Sequence, residues 1–497
     1  MELMKALDEM SLSAEDWRET PVAVQNLVKV LWAENQELKK RLSLVEEQIK
    51  KNSKNSSRPP STDGLEKKKS EKSNEVKRKR GGQKGHKGHE RHLYESSVCE
   101  EIYVHQPEVC KDCGTELKGL DEKPYRHQVV EIPPLIPRVI EHQLHELSCE
   151  HCGQKTRAKL PETVTKSSYG ERLSSLVAWL SSDYRQSHSQ LQQLLQRLWG
   201  IKISKASINR LRQEMSEALA SIVEEAHEKV KSLKQVHSDE TGFTQGNGDG
   251  KNPTAKKGWL WVLVSEAITV FKVALSRSQE SAKQMLGEDY QGIVVSDRYS
   301  SYNWLDVNQR QVCWAHLKRD FTAMAERSGV SQEIGESLLR YQQRLFRWWH
   351  QVREGKMSRE QFQLAVTFLR RGFKRELETA AALPLEKKEK SPLAHTIRSC
   401  QQILKLEPAL WTFVEHLGLE PTNNAAEQAL RPAVIWRRTS FGSQSEAGSQ
   451  FVARLLTVVT SLKAQNRDVW DFLSSVCRAV RFDLPFPSLI PIELQPP

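Results

Sequence analysis

Between Lys50 and His92 the chain carries fifteen Lys or Arg against five Asp or Glu, a surplus of +10 in 43 residues where the whole protein has +11. A stretch this basic, interspersed with Ser, Asn, Gly and Pro, cannot bury a core of its own, so the chain must fold as separate pieces on either side of it. Such a segment is either a solvated linker or an arm that meets phosphates. With 497 residues, two to four domains are expected, with ample length for a buried core. Charged residues make up 28% of the chain and the mean hydropathy is -0.60. The longest strongly apolar run, Trp259 to Val264, is too short to cross a bilayer. The opening MELMKALDEM places acidic residues where a secretion signal has basic ones, so a cytoplasmic location is expected.

On the amino side of the arm, residues 22–50 carry a heptad. Val28, Asn35, Leu42 and Ile49 fall at a, and Leu31, Leu38 and Val45 at d. One polar a position, Asn35, favours a parallel dimer in fixed register, so the segment is read as a dimerising leucine-zipper coiled coil; an ordinary amphipathic helix is the alternative. The arm, taken as a disordered linker over 51–97, ends in RKRGGQKGHKGHERH. Its Lys79, Arg80, Lys84 and Lys87 suit phosphate contact, and His86, His89 and His92 offer a weaker metal-binding alternative.

Eight cysteines are too few for a disulfide scaffold in a chain this long, but four of them form two pairs. Cys110-x-x-Cys113-Gly is followed, after 35 intervening residues, by Cys149-x-x-Cys152-Gly. Two thiolate pairs on tight glycine turns supply four soft ligands for tetrahedral zinc. Residues 127–147 read as strands broken by prolines, so 98–160 is expected to be a zinc ribbon. Cys99, Cys313, Cys400 and Cys477 have no such partners and read as core or surface thiols.

Residues 161–230 read as helical. A periodic helix, a break at Gly200, a cap at Ser204 and a second helix bearing Lys205, Asn209, Arg210 and Arg212 give the layout of a DNA-binding helix-turn-helix. After Lys234 the period changes. QVHSDETGFT, GWLWVLVSE, ITVFKVALS, GIVVSDRYS and RQVCWAHLK read as five strands, with a short helix at QESAKQML, which predicts a mixed α/β sheet. An all-α insertion is expected over about 326–415, with the catalytic domain spanning 231–475 and a Pro-rich extended tail over 476–497.

Asp239 is read at the end of the first of these strands, and Asp297 follows the strand of Ile293, Val294 and Val295. Carboxylates at the ends of neighbouring strands can converge on hard Mg²⁺ ions, although either alone is also ordinary turn chemistry. The best third carboxylate is Glu427 in PTNNAAEQALRP, where Asn424 could cap a helix with Glu427 at its third position and Arg431 as its ion-pair partner. Asp320 and Glu326 are the nearest rivals.

HSDETGF, VSDRYSSY, CWAHLKRDF and TNNAAEQALRP, in this order behind a coiled coil, GGQKGHKGH and paired CxxCG turns, resemble the transposases of the insertion sequence 66 family over nearly the whole chain. The resemblance implies a DDE enzyme with a ribonuclease-H-like core. It makes Asp239, Asp297 and Glu427 the triad for Mg²⁺ or Mn²⁺, and Cys110, Cys113, Cys149 and Cys152 the zinc ligands. It implies two-metal phosphoryl transfer, in which a water nicks DNA at the terminal inverted repeats and the freed 3′ hydroxyl attacks target DNA. It also implies small accessory proteins of the same element, while the zipper predicts a homodimer and a nucleoid-associated location is expected. His237, His316 and Arg319 could grip phosphate near the metals, with Arg431, Arg437 and Arg438 close by. One departure is Gln428, where the family commonly has Arg. Two other readings are a non-catalytic zinc-containing DNA-binding regulator derived from a transposase, and a ribonuclease-H-like nuclease. The regulator has no reason to retain spaced carboxylates, and the nuclease has no need of a zipper.

Overall fold

The computed structural model describes residues 14–51, 56–57 and 92–492. The arm residues Lys79, Arg80, Lys84 and Lys87, with His86 and His89, lie outside the described residues. The chain divides into two compact units, one formed by residues 66–141 and 194–202 and the other by the remainder.

The heptad segment is one helix. After the short α1 (Ala14–Glu19), α2 runs from Val22 to Lys50. Its seam positions Leu31, Leu38, Leu42 and Ile49 are 54–63% exposed, so this apolar stripe is not covered by the chain's own core.

The two cysteine turns repeat one another. Gly114 N–H bonds to Cys110 O and Gly153 N–H to Cys149 O, both at 2.8 Å, and both glycines adopt φ +71°. That left-handed conformation is cheap only without a Cβ. β1 (Glu146–Ser148) and β2 (Lys155–Arg157) pair antiparallel across the second turn, and a single bridge, Val109 to Glu116, spans the first. The strands expected over 127–147 are otherwise missing: only 146–148 is strand. Pro133, Pro134 and Pro137 remove the donors a ladder would need, leaving that stretch irregular.

Helices α3 (Glu171–Ser182), α4 (His188–Trp199), α5 (Lys205–Ala218) and α6 (Ala220–Lys231) follow. Gly200 breaks the chain at φ +67°, and the Ser204 hydroxyl accepts from Ser207 N to cap α5, both as the sequence predicts.

The sheet comprises β3 (Gln235–Gly242), β4 (Trp259–Val264), β5 (Thr269–Ala274), β6 (Ile293–Ser296) and β7 (Arg310–Val312), in the spatial order β5-β4-β3-β6-β7. β3, β4 and β5 pair antiparallel, whereas β3, β6 and β7 run parallel. The parallel crossover passes through α7 (Gln279–Leu286), capped by Ser278. The fifth strand is shorter than expected: it stops at Val312, and WAHLK already belongs to α8 (Trp314–Ala325).

Then come α9 (Val330–Arg353), α10 (Arg359–Ala381), α11 (Pro392–Lys405) and the short α12 (Thr412–Glu415). These helices share a core with Val295 and Val312 of the sheet. Within it, Arg370 grips the buried Glu407 with two nitrogens at 2.7 and 2.8 Å. A Cβ on Gly335 of α9 would lie 2.2 Å from Ala325 N, so the close crossing with α8 depends on glycine.

The chain returns through α13 (Asn424–Ser440), α14 (Glu446–Ala464) and α15 (Val469–Phe482), which pack with α5, α6 and the sheet around a second core. α14 closes the sheet edge. Its Ser461 and Thr457 hydroxyls accept the Thr269 and Phe271 N–H groups of β5 at 3.0 and 2.9 Å, donors an open edge strand would leave unmatched. The carboxyl-terminal stretch is helical to Phe482. Beyond it the chain is irregular yet anchored, with Leu489 and Ile490 buried in the core.

Candidate metal centre and nucleic-acid interface

Register places the two aspartates. In the parallel ladder Val236 pairs with Val294 and His237 with Val295, so two residues further along both strands carry Asp, on the same face. Asp297 is held by its own turn, with Tyr299 N–H donating to Oδ1 at 2.8 Å. Arg310, almost fully buried, donates to Asp297 O at 3.3 Å from β7.

Glu427 arrives on the first turn of α13, brought there by Asn423. This amide is fully buried. It donates to Ser238 O at 2.8 Å, lies 3.0 Å from His237 Nδ1 through its oxygen, and gives its own N–H to Cys313 Sγ at 3.1 Å. The cap is therefore Asn423, not Asn424 as the sequence suggests, and its side chain reaches to β3 instead of to the helix's own N–H groups. Glu427 stands one position later than expected. Its recorded partners are not Arg431 but Arg319 Nη2 at 3.5 Å and His316 Nδ1 at 3.8 Å.

Asp239 shows the cost of enclosing a carboxylate beside other acids. Burial, then the neighbouring Glu240 and Asp297 charges and more weakly Glu427, push its carboxyl up to about 8. Oxygen ligands of this kind suit a hard divalent cation such as Mg²⁺ or Mn²⁺. Burial also lowers the His237 and His316 imidazoles, the latter with help from Arg319. The rival acids are engaged elsewhere: Asp320 takes two bonds from Arg298, and Glu326 accepts from Ser57.

Sequence reasoning missed a buried network behind the row. Glu240 lies on the opposite face of β3 from Asp239 and is almost wholly enclosed. Arg277 Nε donates to it at 2.6 Å and Tyr302 Oη at 2.8 Å, while Arg277 also reaches Asp297 Oδ2 at 3.9 Å and stacks on Tyr299 at 3.6 Å. Burial raises the Glu240 carboxyl, and Arg277 opposes that shift. The alternation of β3 carried the signal, since a glutamate on its buried face demands an internal cation.

The basic residues separate into two groups. Lys205, Arg210 and Arg431 are exposed on their helices, and Arg438 is exposed at the end of α13. Arg212 turns inward over the Phe451 ring at 4.1 Å, and burial lowers it to about 10. Arg437 is spent on β3, donating to Thr241 Oγ1 at 3.0 Å and to Gly242 O. In the cysteine turns, bonding with Thr115 lowers the Cys113 thiol to about 7, and backbone N–H groups of Cys152 and His151 lower that of Cys149. Both shifts favour the thiolate that zinc requires.

The sheet is mixed, with Asp239 on β3 and Asp297 just beyond the end of β6. The family model described as "Transposase IS66 family" matches residues 166–451, and the zinc-finger binding domain of transposase IS66 matches 107–153. The chain belongs to the IS66 transposase family. A family of unknown function matches residues 12–92. Two proteins of Sinorhizobium fredii are similar. Uncharacterized protein y4qI is 26% identical over 298 residues, covering 55% of this chain and 53% of that protein. Uncharacterized protein y4hP is 24% identical over 412 residues, covering 76% and 71%. The chain thus spans about half the length of the first relative. No helix among the described residues is long and apolar enough to cross a membrane.

Proposed function

We propose that this protein cuts and joins DNA at the terminal inverted repeats of an insertion sequence. The observation that carries this reading is the level placement of Asp239 and Asp297 on adjacent parallel strands, with Glu427 clamped beside them. The strand order, three antiparallel strands followed by two parallel ones, supports a ribonuclease-H-like core interrupted by the helical block. In this reading the three carboxylates hold Mg²⁺ or Mn²⁺, which when bound supplies Lewis acidity to an attacking water or 3′ hydroxyl. His316 and Arg319, beside Glu427, grip phosphate, and His237 keeps Asn423 in place. Tyr302, Glu240 and Arg277 orient the Asp297 loop from behind.

The remaining parts serve to bind and pair DNA. The zinc-finger family model and the two matching cysteine turns support zinc binding by Cys110, Cys113, Cys149 and Cys152. The exposed Lys205 and Arg210 support a helix-turn-helix reading of α4 and α5, with Arg431 and Arg438 adding phosphate contacts nearer the carboxylates. The exposed heptad of α2 supports a homodimer that holds two transposon ends. In this reading the chain is organised as zipper, basic arm, zinc-binding segment, helical segment and sheet domain with its insertion. Accessory proteins and a nucleoid location belong to the same reading.

The test is nicking of end-labelled DNA carrying the flanking repeats, with Mg²⁺ or Mn²⁺, by wild type, Asp297→Ala and Glu427→Ala. Cleavage by wild type alone, with DNA binding retained in both variants, is the expected result. Activity surviving in Glu427→Ala would move the third ligand elsewhere. Binding without any cleavage, even with accessory proteins, would favour the non-catalytic regulator.

A further inference from the structure

The row of side chains continues past the aspartates. Val295 pairs with Gln311 and Ser296 with Val312, so the next level sets Cys313, just beyond the end of β7, beside Asp297. Three residues on, His316 occupies the first turn of α8, and Glu427 faces it from α13. The Cys313 sulfur, a His316 ring nitrogen and a Glu427 oxygen all lie within 4.8 Å of one another.

One atom of this trio, a His316 ring nitrogen, has no hydrogen-bond partner. Nδ1 of His316 is shielded from solvent and makes no hydrogen bond, standing 3.8 Å from Glu427 Oε1. A buried ring nitrogen in that condition is costly unless something fills its place. The Cys313 sulfur accepts the Asn423 N–H, which orients it and opposes the rise that burial imposes on this thiol, so a metal there must displace its proton. Tetrahedral zinc bonded at about 2.0–2.3 Å separates its donors by roughly 3.3–3.8 Å, so a contraction of about 1 Å closes the set. Thiol and imidazole suit a borderline-soft metal and are poor ligands for magnesium. His316 and Glu427 are part-exposed, which leaves a way in.

We propose that Cys313, His316 and Glu427 form a site for zinc, or a chemically similar divalent transition metal, with its fourth position open to a water or phosphate oxygen. Filling it draws Glu427 away from Asp239 and Asp297, so the soft metal competes with the hard one for a shared carboxylate. The site itself stands on its donors alone. Its effect on cleavage rests on the function proposed above.

The full-length protein, with zinc already in its cysteine turns, is titrated with Co²⁺ and followed by absorption. One further equivalent is expected, with a thiolate-to-cobalt charge-transfer band that is missing in Cys313→Ser, and at least tenfold weaker affinity in His316→Gln. Cobalt spectra identical in wild type and Cys313→Ser overturn the proposal. Because Cys313 is in the core, thermal unfolding checks each variant. If Cys313→Ser does not fold, His316→Gln decides, and a band of undiminished affinity there overturns the site. Zinc added to the Mg²⁺-dependent reaction should slow cleavage at least tenfold in wild type and leave Cys313→Ser unaffected; zinc binding without loss of cleavage overturns the competition for Glu427. A wild type that never cleaves defeats the DNA-cutting reading and leaves the cobalt result standing.

Discussion

Asp239 couples charge, stability and cation at a single atom pair. Its carboxyl titrates at about 8 in the folded chain against an ordinary 3.8. Without a cation, the folded protein keeps a proton that the unfolded chain has lost. The stability this contributes is complete below about pH 4 and is lost as pH rises through 8. Urea midpoints of the cation-free protein should fall across that window, with a flatter profile in Asp239→Asn and with added Mg²⁺; an unchanged slope in the variant would remove Asp239 as the cause. Asn423 is a sharper case. Asn423→Ala leaves Ser238 O and His237 Nδ1 without their partner, a loss of roughly 2–4 kcal/mol for two buried polar groups. Mg²⁺ affinity should fall along with it, and equilibrium unfolding together with a Mg²⁺ titration would show either effect missing. At this scale the sequence was partly legible. Asp239 lies within β3, whose pairing continues to Gly242, whereas Asp297 announces itself by following an apolar strand. Asn423 does not, because Asn423 and Asn424 are adjacent and only the depth of the Ser238 carbonyl distinguishes them. Cys313 reads as a core or surface thiol and is buried, but its register beside Asp297 depends on strand pairing, which no local pattern encodes.

Elements were easier to read than their ends. All five strands, the short α7 and the all-α block follow from period and apolar content, while β7 was overextended because Cys313 and Trp314 continue an apolar run after the ladder has stopped. Residues 127–145 failed for a different reason: alternation suggests strands, but prolines leave nothing to pair. Two substitutions test how elements are joined. Thr457→Val in α14 should cost about 1–3 kcal/mol by leaving the Phe271 N–H of the sheet edge unmatched. Gly335→Ala should cost a similar roughly 1–3 kcal/mol by forcing α9 off α8. Equal urea midpoints for wild type and variant would show that the hydroxyl is replaced by water in the first case, or that the helices separate freely in the second.

For the whole molecule, the open question is how many copies act together. The α2 seam is apolar and exposed, and its only polar a position is Asn35. Leu38→Lys with Leu42→Lys places two charges in that seam and should convert a dimer to a monomer in sedimentation at micromolar concentration, leaving sheet-domain unfolding unchanged. A wild type that sediments as a monomer would end the zipper reading.

The Asn423 clamp also sets an order in time. It joins residues 186 positions apart, His237 and Asn423. At about 5–20 residues per second, a ribosome spends roughly 10–40 s with the first aspartate made and the amide that completes its surroundings still unmade. A chain interrupted in that interval has its basic arm but no finished row of carboxylates. In the proposed reading, the growing polypeptide can meet DNA well before it is able to break it.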